Sequence, residues 1–218
     1  MRNRIIIARH GNTFRSDETP TRIGARTDIP LVEEHRGKSI GKYLIENDII
    51  PDIVYAAPLL RTRQTAELAV QAMGIKLPVI PIDDFVEIDY GIDENKAEED
   101  TLLRLGDGVI EKGKEIIEAW NKDATVPDGW NVNPQQIIKT WEDFAENIVS
   151  EQCQTVLLVT SNGIIRFAPY LTGDFGQFSQ KHDIKVATGG VCIFEKEADE
   201  PFWTCTAWNV KPYKIFPV

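Results

Sequence analysis

Apolar positions along the chain alternate between two rhythms. Ile5-Ile6-Ile7-Ala8 and the stretch from Thr155 to Thr160 are unbroken apolar runs, the kind buried on both faces of a sheet. Residues 4–8 and 155–160 are therefore read as central strands, with shorter strands at 52–56 and 78–82. Helical spacing fills the intervals. From Leu31 to Asn47 the pattern places Ile40, Tyr43 and Leu44 on one face. Pro58 opens a helix running from Leu59 to about Met73, and Gly74 closes it, the usual placement of these two residues. Residues 97–120 and 134–150 read as two amphipathic helices separated by the turn signal Pro127-Asp128-Gly129. A helix from Gly163 to Leu171 follows, and 191–194 and 203–208 form a closing pair of strands.

Strands alternating with helices predict an α/β fold. The expected form is a three-layer sandwich: a mostly parallel central sheet with helices on both faces. The 218 residues fit one domain, 1–218, in which the acidic helical stretch at about 92–152 reads as an insertion over the sheet edge. Hydrophobic content of 42% and charged content of 27% are ordinary for a globular chain. The net charge of -10 opposes nucleic acid and anionic membrane as partners. It also opposes anionic substrates, unless local arginines reverse the sign in a pocket. The apolar stretch after Met1-Arg2-Asn3-Arg4 is too short for a signal peptide, and no run approaches the roughly 20 apolar residues of a membrane span. Cys153, Cys192 and Cys205 are widely spaced and read as reduced, mostly buried thiols, so a cytoplasmic location is expected.

In parallel α/β sheets, function gathers at the carboxyl ends of the strands. Arg9-His10-Gly11, Ala57-Pro58 and Ser161-Asn162 all fall there. Together they suit phosphate chemistry. A strand fixes the imidazole of His10, which is nucleophilic near neutral pH. Arg9 offers a planar fork of donors, and Gly11 admits close backbone approach. Three histidines and the scattered cysteines show no ligand spacing, so no metal and no cofactor is expected.

Longer motifs sharpen this. Arg9-His10-Gly11-Asn12-Thr13, Gly24 to Leu31, Ala57-Pro58-Leu59-Leu60-Arg61-Thr62-Arg63-Gln64-Thr65-Ala66 and Phe85 to Gly91 together resemble the histidine phosphatase superfamily, the phosphoglycerate mutase-like group. The resemblance extends to Thr188-Gly189-Gly190-Val191 and Trp208 to Pro212, and so covers nearly the whole chain. It implies a phosphoglycerate mutase-like fold with a helical lid insertion. It also implies a metal-independent phosphatase that hydrolyses a phosphomonoester through a phosphohistidine on His10. Glu87 is the implied general acid, with Asp83, Asp84 and Asp89 nearby, and Arg9 and Arg61 the implied phosphate clamp. The family usually carries Ser-His-Gly after the strand that ends here at Thr160; this chain reads Ser161-Asn162-Gly163. Asn162 can donate a hydrogen bond to phosphate but carries no positive charge.

Secondary positions divide as follows. His35 reads as a surface residue, Arg63 as solvated and Arg166 as packing along its helix; His182 could reach the pocket rim in place of the missing histidine. Arg26 reads equally as a contact for the distal part of a substrate or as a surface residue. Trp120, Trp130 and Trp141 in the lid either pack its helices or line a pocket for a planar group. The acidic run Asp93-Glu94 and Glu98-Glu99-Asp100 reads as a solvated face. Gly129-Trp130-Asn131 stands where the family often has Gly-Glu-Ser, which weakens the case for a phosphoglycerate-like substrate. A phosphorylated small molecule, or a phosphoprotein, is the expected substrate. Two other readings stay open: a weak pseudo-phosphatase that binds a phosphorylated ligand, kept alive by Asn162, and a phosphoglycerate-type mutase, which would want a basic lid. The particular phosphorylated compound and the oligomeric state also stay open.

Overall fold

The computed structural model describes residues 2–150 and 154–216; Cys153 and the end of the 92–152 stretch lie outside them. Six strands, β1 (Arg2–Arg9), β2 (Ile53–Ala56), β3 (Val79–Pro81), β4 (Thr155–Thr160), β5 (Val191–Glu197) and β6 (Thr204–Val210), form one sheet in the order β3-β2-β4-β1-β5-β6. The four strands from β3 to β1 are parallel; β5 and β6 complete the sheet antiparallel. Eight α-helices are described: α1 (His35–Glu46), α2 (Leu60–Met73), α3 (Glu98–Leu105), α4 (Ile110–Asp123), α5 (Pro134–Ser150), α6 (Asn162–Ile165), α7 (Phe175–Lys181) and α8 (Pro212–Ile215).

Strand pleating divides the core into two layers. Ile6 and Ala8 of β1, with Leu157 and Val159 of β4, pack under Ile40 and Leu44 of α1 and Ala66, Ala69 and Met73 of α2. Ile5, Ile7, Val156 and Leu158 point the other way, toward Trp141, Phe144 and Ile148 of α5 and toward Phe167 and Phe178. The fold is thus the expected mixed α/β sandwich with helices around a central sheet. α1 lies close on α2 because two of its residues are glycines: a Cβ at Gly37 would press on Leu68, and one at Gly41 would fall on the Ala69 carbonyl.

Element boundaries differ from the expected ones where turn chemistry outweighs periodicity. The helix expected over 97–120 is broken into α3 and α4 at Gly106-Asp107-Gly108, where Asp107 (φ 52°) and Gly108 (φ 87°) take the left-handed conformation. The helix expected from Gly163 to Leu171 is the short α6 and then a 3-10 turn at Ala168–Thr172, since Pro169 cannot continue the hydrogen-bond ladder. α1 starts at His35 rather than Leu31, because Leu31 instead donates its N–H to the Gln64 side chain at 2.9 Å. Within 92–152 the parts have separate places: α5 packs on the sheet, while α4 reaches the carboxyl edge. No helix among the described residues is long and apolar enough to cross a membrane.

Candidate active site

Register brings the site together before any side chain is considered. Arg9 at the end of β1 pairs with Thr160 at the end of β4, and Ala56 at the end of β2 pairs with Val159. The three following segments, His10-Gly11, Ala57-Pro58 and Ser161-Asn162, therefore emerge side by side along one edge of the sheet. Above this edge lies a cleft of about 530 Å³, lined in part by His10, Tyr90, Trp120 and Asn162. Its cations are Arg9, Arg15, Arg22, Arg166 and Lys185, and its carboxylates are Glu87 and Glu98. Arginine and lysine outnumber carboxylates in this wall, so the cleft reverses the sign of the acidic chain around it.

His10 is 2% exposed. Its backbone is held between β4 and the loop after residue 186: the His10 N–H donates to the Thr160 carbonyl at 3.1 Å, and the Gly189 N–H donates to the His10 carbonyl at 3.0 Å. The ring Nδ1 lies 2.8 Å from the Gly11 carbonyl oxygen. A carbonyl oxygen only accepts, so this contact places the proton on Nδ1 and leaves the Nε2 lone pair free. Burial, then the charges of Arg9 and Arg61, hold His10 well below the usual imidazole pKa; the Gly11 contact opposes them. The ring is therefore neutral and nucleophilic at neutral pH.

Glu87 is buried, with Oε1 accepting the Ile88 N–H at 2.9 Å. Burial pushes its carboxyl above the usual range, although Arg61, the Ile88 N–H, Arg9 and Arg166 pull the other way. Gly163 explains how Glu87 fits: a Cβ at 163 would fall on the Glu87 carboxylate.

The arginines are held by carbonyls with donors left over. Arg9 Nη1 donates to Val186 O at 2.5 Å. Arg61, fully buried in the first turn of α2, donates Nη1 to Thr27 O at 2.6 Å and Nη2 to Gly24 O at 3.2 Å. It stands behind the wall rather than in the cleft lining, yet its charge is felt at both His10 and Glu87. Among the described residues, the buried side-chain polar atoms without a partner are Arg9 Nε, Arg22 Nε, Arg61 Nε, Ser161 Oγ and Arg166 Nε. Such atoms are costly to leave unmet. Their concentration around one cleft marks a place shaped for an anion. Asn162 uses Oδ1 to accept the Val186 N–H at 2.8 Å, which leaves its NH₂ as the group that can donate into the cleft.

The secondary positions sort into those that fall where the sequence suggested, Arg63 and His35 among them, and those that do not. His182 is exposed and packs its ring on Phe178 at 4.6 Å, outside the cleft lining, so it does not take the place of a second active-site histidine. Arg26 is tied to Asp89 at 3.1 Å and to the Gly91 carbonyl, also outside the lining. Arg63 is exposed, and His35 lies away from the cleft against the Tyr213 carbonyl at 3.3 Å. Two members of the acidic run are structural rather than solvated. Asp93 is buried under Arg104 and Trp130 Nε1 (2.7 Å), and Glu94 Oε1 accepts the Gly24 N–H (3.0 Å) and the Thr27 hydroxyl (2.7 Å), clamping the loop that backs Arg61. Trp130 and Trp141 are core residues; Trp120 is both core and cleft wall. Arg166, read as packing along its helix, lines the cleft instead. Its spacing is the signal that points there: four residues after Asn162 places it on the same helical face. Arg22 carries no such signal in the sequence. Its guanidinium lies 5.1 Å from the Trp130 ring centroid and pairs with Glu98 at 2.5 Å. No cluster of three or more His, Cys, Asp or Glu that could hold a metal ion occurs among the described residues.

Comparison with known proteins identifies the family and the fold. The family model for the histidine phosphatase superfamily (branch 1) matches residues 5–211. The chain belongs to that superfamily. More particularly, it is similar to an uncharacterized phosphatase, PhoE, from Bacillus subtilis (strain 168), with 32% identity over 48% of this chain and 52% of that protein. It is also similar to a 2,3-bisphosphoglycerate-dependent phosphoglycerate mutase from Clavibacter michiganensis, with 27% identity over 78% of this chain and 64% of the relative. The matches thus span about half to two-thirds of the length of these curated relatives. Among solved structures, a phosphoglycerate mutase from Bacillus anthracis superposes with a TM-score of 0.79 over 97% of this chain and 95% of its own, at 18% identity. A mutant phosphoserine phosphatase from Entamoeba histolytica, in complex with phosphoserine, superposes with a TM-score of 0.70 over 96% and 98%, at 18% identity. These likenesses establish a phosphoglycerate mutase-like fold.

Proposed function

We propose that the protein is a metal-independent phosphatase that hydrolyses a phosphomonoester through a phosphohistidine on His10. The observation that carries this reading is the state of His10: buried, neutral, with Nδ1 committed to the Gly11 carbonyl and Nε2 free in a cleft rich in arginine.

In this reading the phosphoryl group sits at the carboxyl ends of β1 and β4. Arg9 and the Asn162 NH₂ hold its nonbridging oxygens, and Arg61 adds positive charge from behind the wall. His10 Nε2 attacks phosphorus in line as the ester P–O bond breaks, and Glu87 in its protonated form, which burial favours, gives its proton to the departing oxygen. Glu87 then takes a proton from water, which attacks phosphorus, breaks the P–N bond and releases phosphate. A cleft of about 530 Å³ suits a small phosphorylated molecule better than a folded phosphoprotein surface. Glu98 neutralises Arg22 at this cleft, which favours hydrolysis of a monoester over a mutase cycle on doubly charged acids.

The test is phosphate release from p-nitrophenyl phosphate without added metal, comparing the native protein with His10→Ala. Activity in the native protein and its loss in the variant are expected. Equal rates from the two would overturn the nucleophilic role. Binding of phosphate with no turnover in either would favour a pseudo-phosphatase built around Asn162.

A further inference from the structure

The end of β4 presents two different polar groups to the cleft. The first, Asn162, is neutral. The second, Arg166, lies one helical turn further on, its N–H bonded to the Asn162 carbonyl at 3.3 Å. Arg166 is 1% exposed, an unusual place for a guanidinium without a carboxylate partner. Its carbon stacks 3.8 Å from the Trp120 ring centroid, and Nη1 donates to the Trp120 carbonyl at 2.5 Å. These two contacts fix the plane of the guanidinium and account for one of its nitrogens. Nε is buried with no acceptor, and Nη2 makes no hydrogen bond among the described residues. Burial lowers the group to about 10, so it remains cationic at neutral pH. Glu87, Arg9 and Tyr90 are close enough for their charges to be felt there.

A buried, oriented cation with spare donors, facing the same cleft as His10 and Asn162, lacks an anion. We propose that Arg166 donates to a nonbridging oxygen of the transferring phosphoryl group and supplies positive charge that Asn162 cannot. This deepens the phosphatase reading above and rests on it. The pair divides the work of one site. Asn162 anchors the 186 loop through Oδ1 and offers a neutral donor, while Arg166 brings the charge from one turn away. Trp120 becomes a positioning residue, since its ring and carbonyl aim the guanidinium.

The test is a set of four variants assayed with p-nitrophenyl phosphate, with thermal unfolding recorded for each. Arg166→Gln keeps an amide donor for the Trp120 carbonyl and removes the charge; kcat is expected to fall by roughly 10²–10³. Unchanged kcat in a folded Arg166→Gln overturns the proposal. Asn162→His in the Arg166→Gln background is expected to restore roughly tenfold or more of the lost kcat, a rescue that a purely structural arginine would not permit. Absence of any rescue counts against it. If Arg166→Gln does not fold, Asn162→His alone decides. With Arg166 present, a second cation meets like charge and the Val186 N–H loses its acceptor, so kcat falls; a rise would show a site short of charge and overturn the role of Arg166. His10→Ala separates the two levels. Its inactivity beside an active Arg166→Gln sinks only the present proposal, whereas full activity of His10→Ala removes the phosphatase reading itself.

Discussion

At the residue scale the site depends on opposite shifts produced by one cause. Burial disfavours charge on both His10 and Glu87, so the imidazole pKa is pushed down and the carboxyl pKa up. In the proposed reaction the nucleophile His10 fails as pH falls through its lowered pKa, and the acid Glu87 fails as pH rises through its raised pKa. kcat/KM should therefore give a bell whose acid limb lies below the usual histidine value and whose alkaline limb lies above the usual carboxylate value. Leaving groups separate the two roles. Glu87→Gln is expected to lower kcat on an alkyl phosphate by about 10²–10⁴ and on p-nitrophenyl phosphate far less, because nitrophenolate departs without a proton. Equal losses on both substrates would assign Glu87 to packing instead. Asp93 makes a structural counterpart. It is 1% exposed and pairs with Arg104, so Asp93→Ala leaves the guanidinium facing an empty site and should cost about 3 kcal/mol in urea unfolding.

At the element scale, two close approaches depend on glycine. α1 meets α2 through Gly37 and Gly41, and Gly41→Ala, which would drive a methyl into the Ala69 carbonyl, is expected to cost about 1–3 kcal/mol of stability by overpacking, read as a lower urea midpoint with unchanged kcat/KM in the folded fraction. Gly163 opens the way for Glu87; Gly163→Ala, whose methyl would also press on the buried Ile88 side chain, should lower kcat on alkyl phosphates by displacing the acid and lower the urea midpoint as well. Much of this layer was legible in the sequence. Unbroken apolar runs marked β1 and β4, and Pro58 and Gly74 bracketed α2 to within two residues. What escaped was tertiary. The break between α3 and α4 requires left-handed residues at 107 and 108, a signal that amphipathic spacing obscures. α7 is too short for its periodicity to stand out.

At the scale of the whole molecule, strand order creates the site. Inserting β4 between β2 and β1 brings three loops, far apart in sequence, to one edge, and α4 then closes a wall with Trp120. His10, Arg9, Glu87 and Asn162 were visible as motifs and do line one cleft, and Arg61 stands just behind it. Arg22 was invisible as a motif because arginine is ordinary in any chain, and Arg166 was marked by nothing more than its spacing from Asn162. Burial among aromatics, with donors left unmet, sets both apart. A chain of net charge -10 thus keeps a cationic interior cleft, and raised ionic strength should weaken competitive inhibition by phosphate less than it would at an exposed site, where screening is full. A steep salt dependence of the phosphate inhibition constant would place phosphate on the surface instead.

The most direct test of the central claim is to trap the phosphorylated protein. Native protein mixed with a phosphomonoester and quenched in alkali, where phosphohistidine survives, should carry one phosphoryl group on the peptide that contains His10, and Asn162→His and Arg166→Gln should change its amount without moving it. Turnover with no covalent phosphate on any histidine, or with phosphate on another residue, would contradict the account.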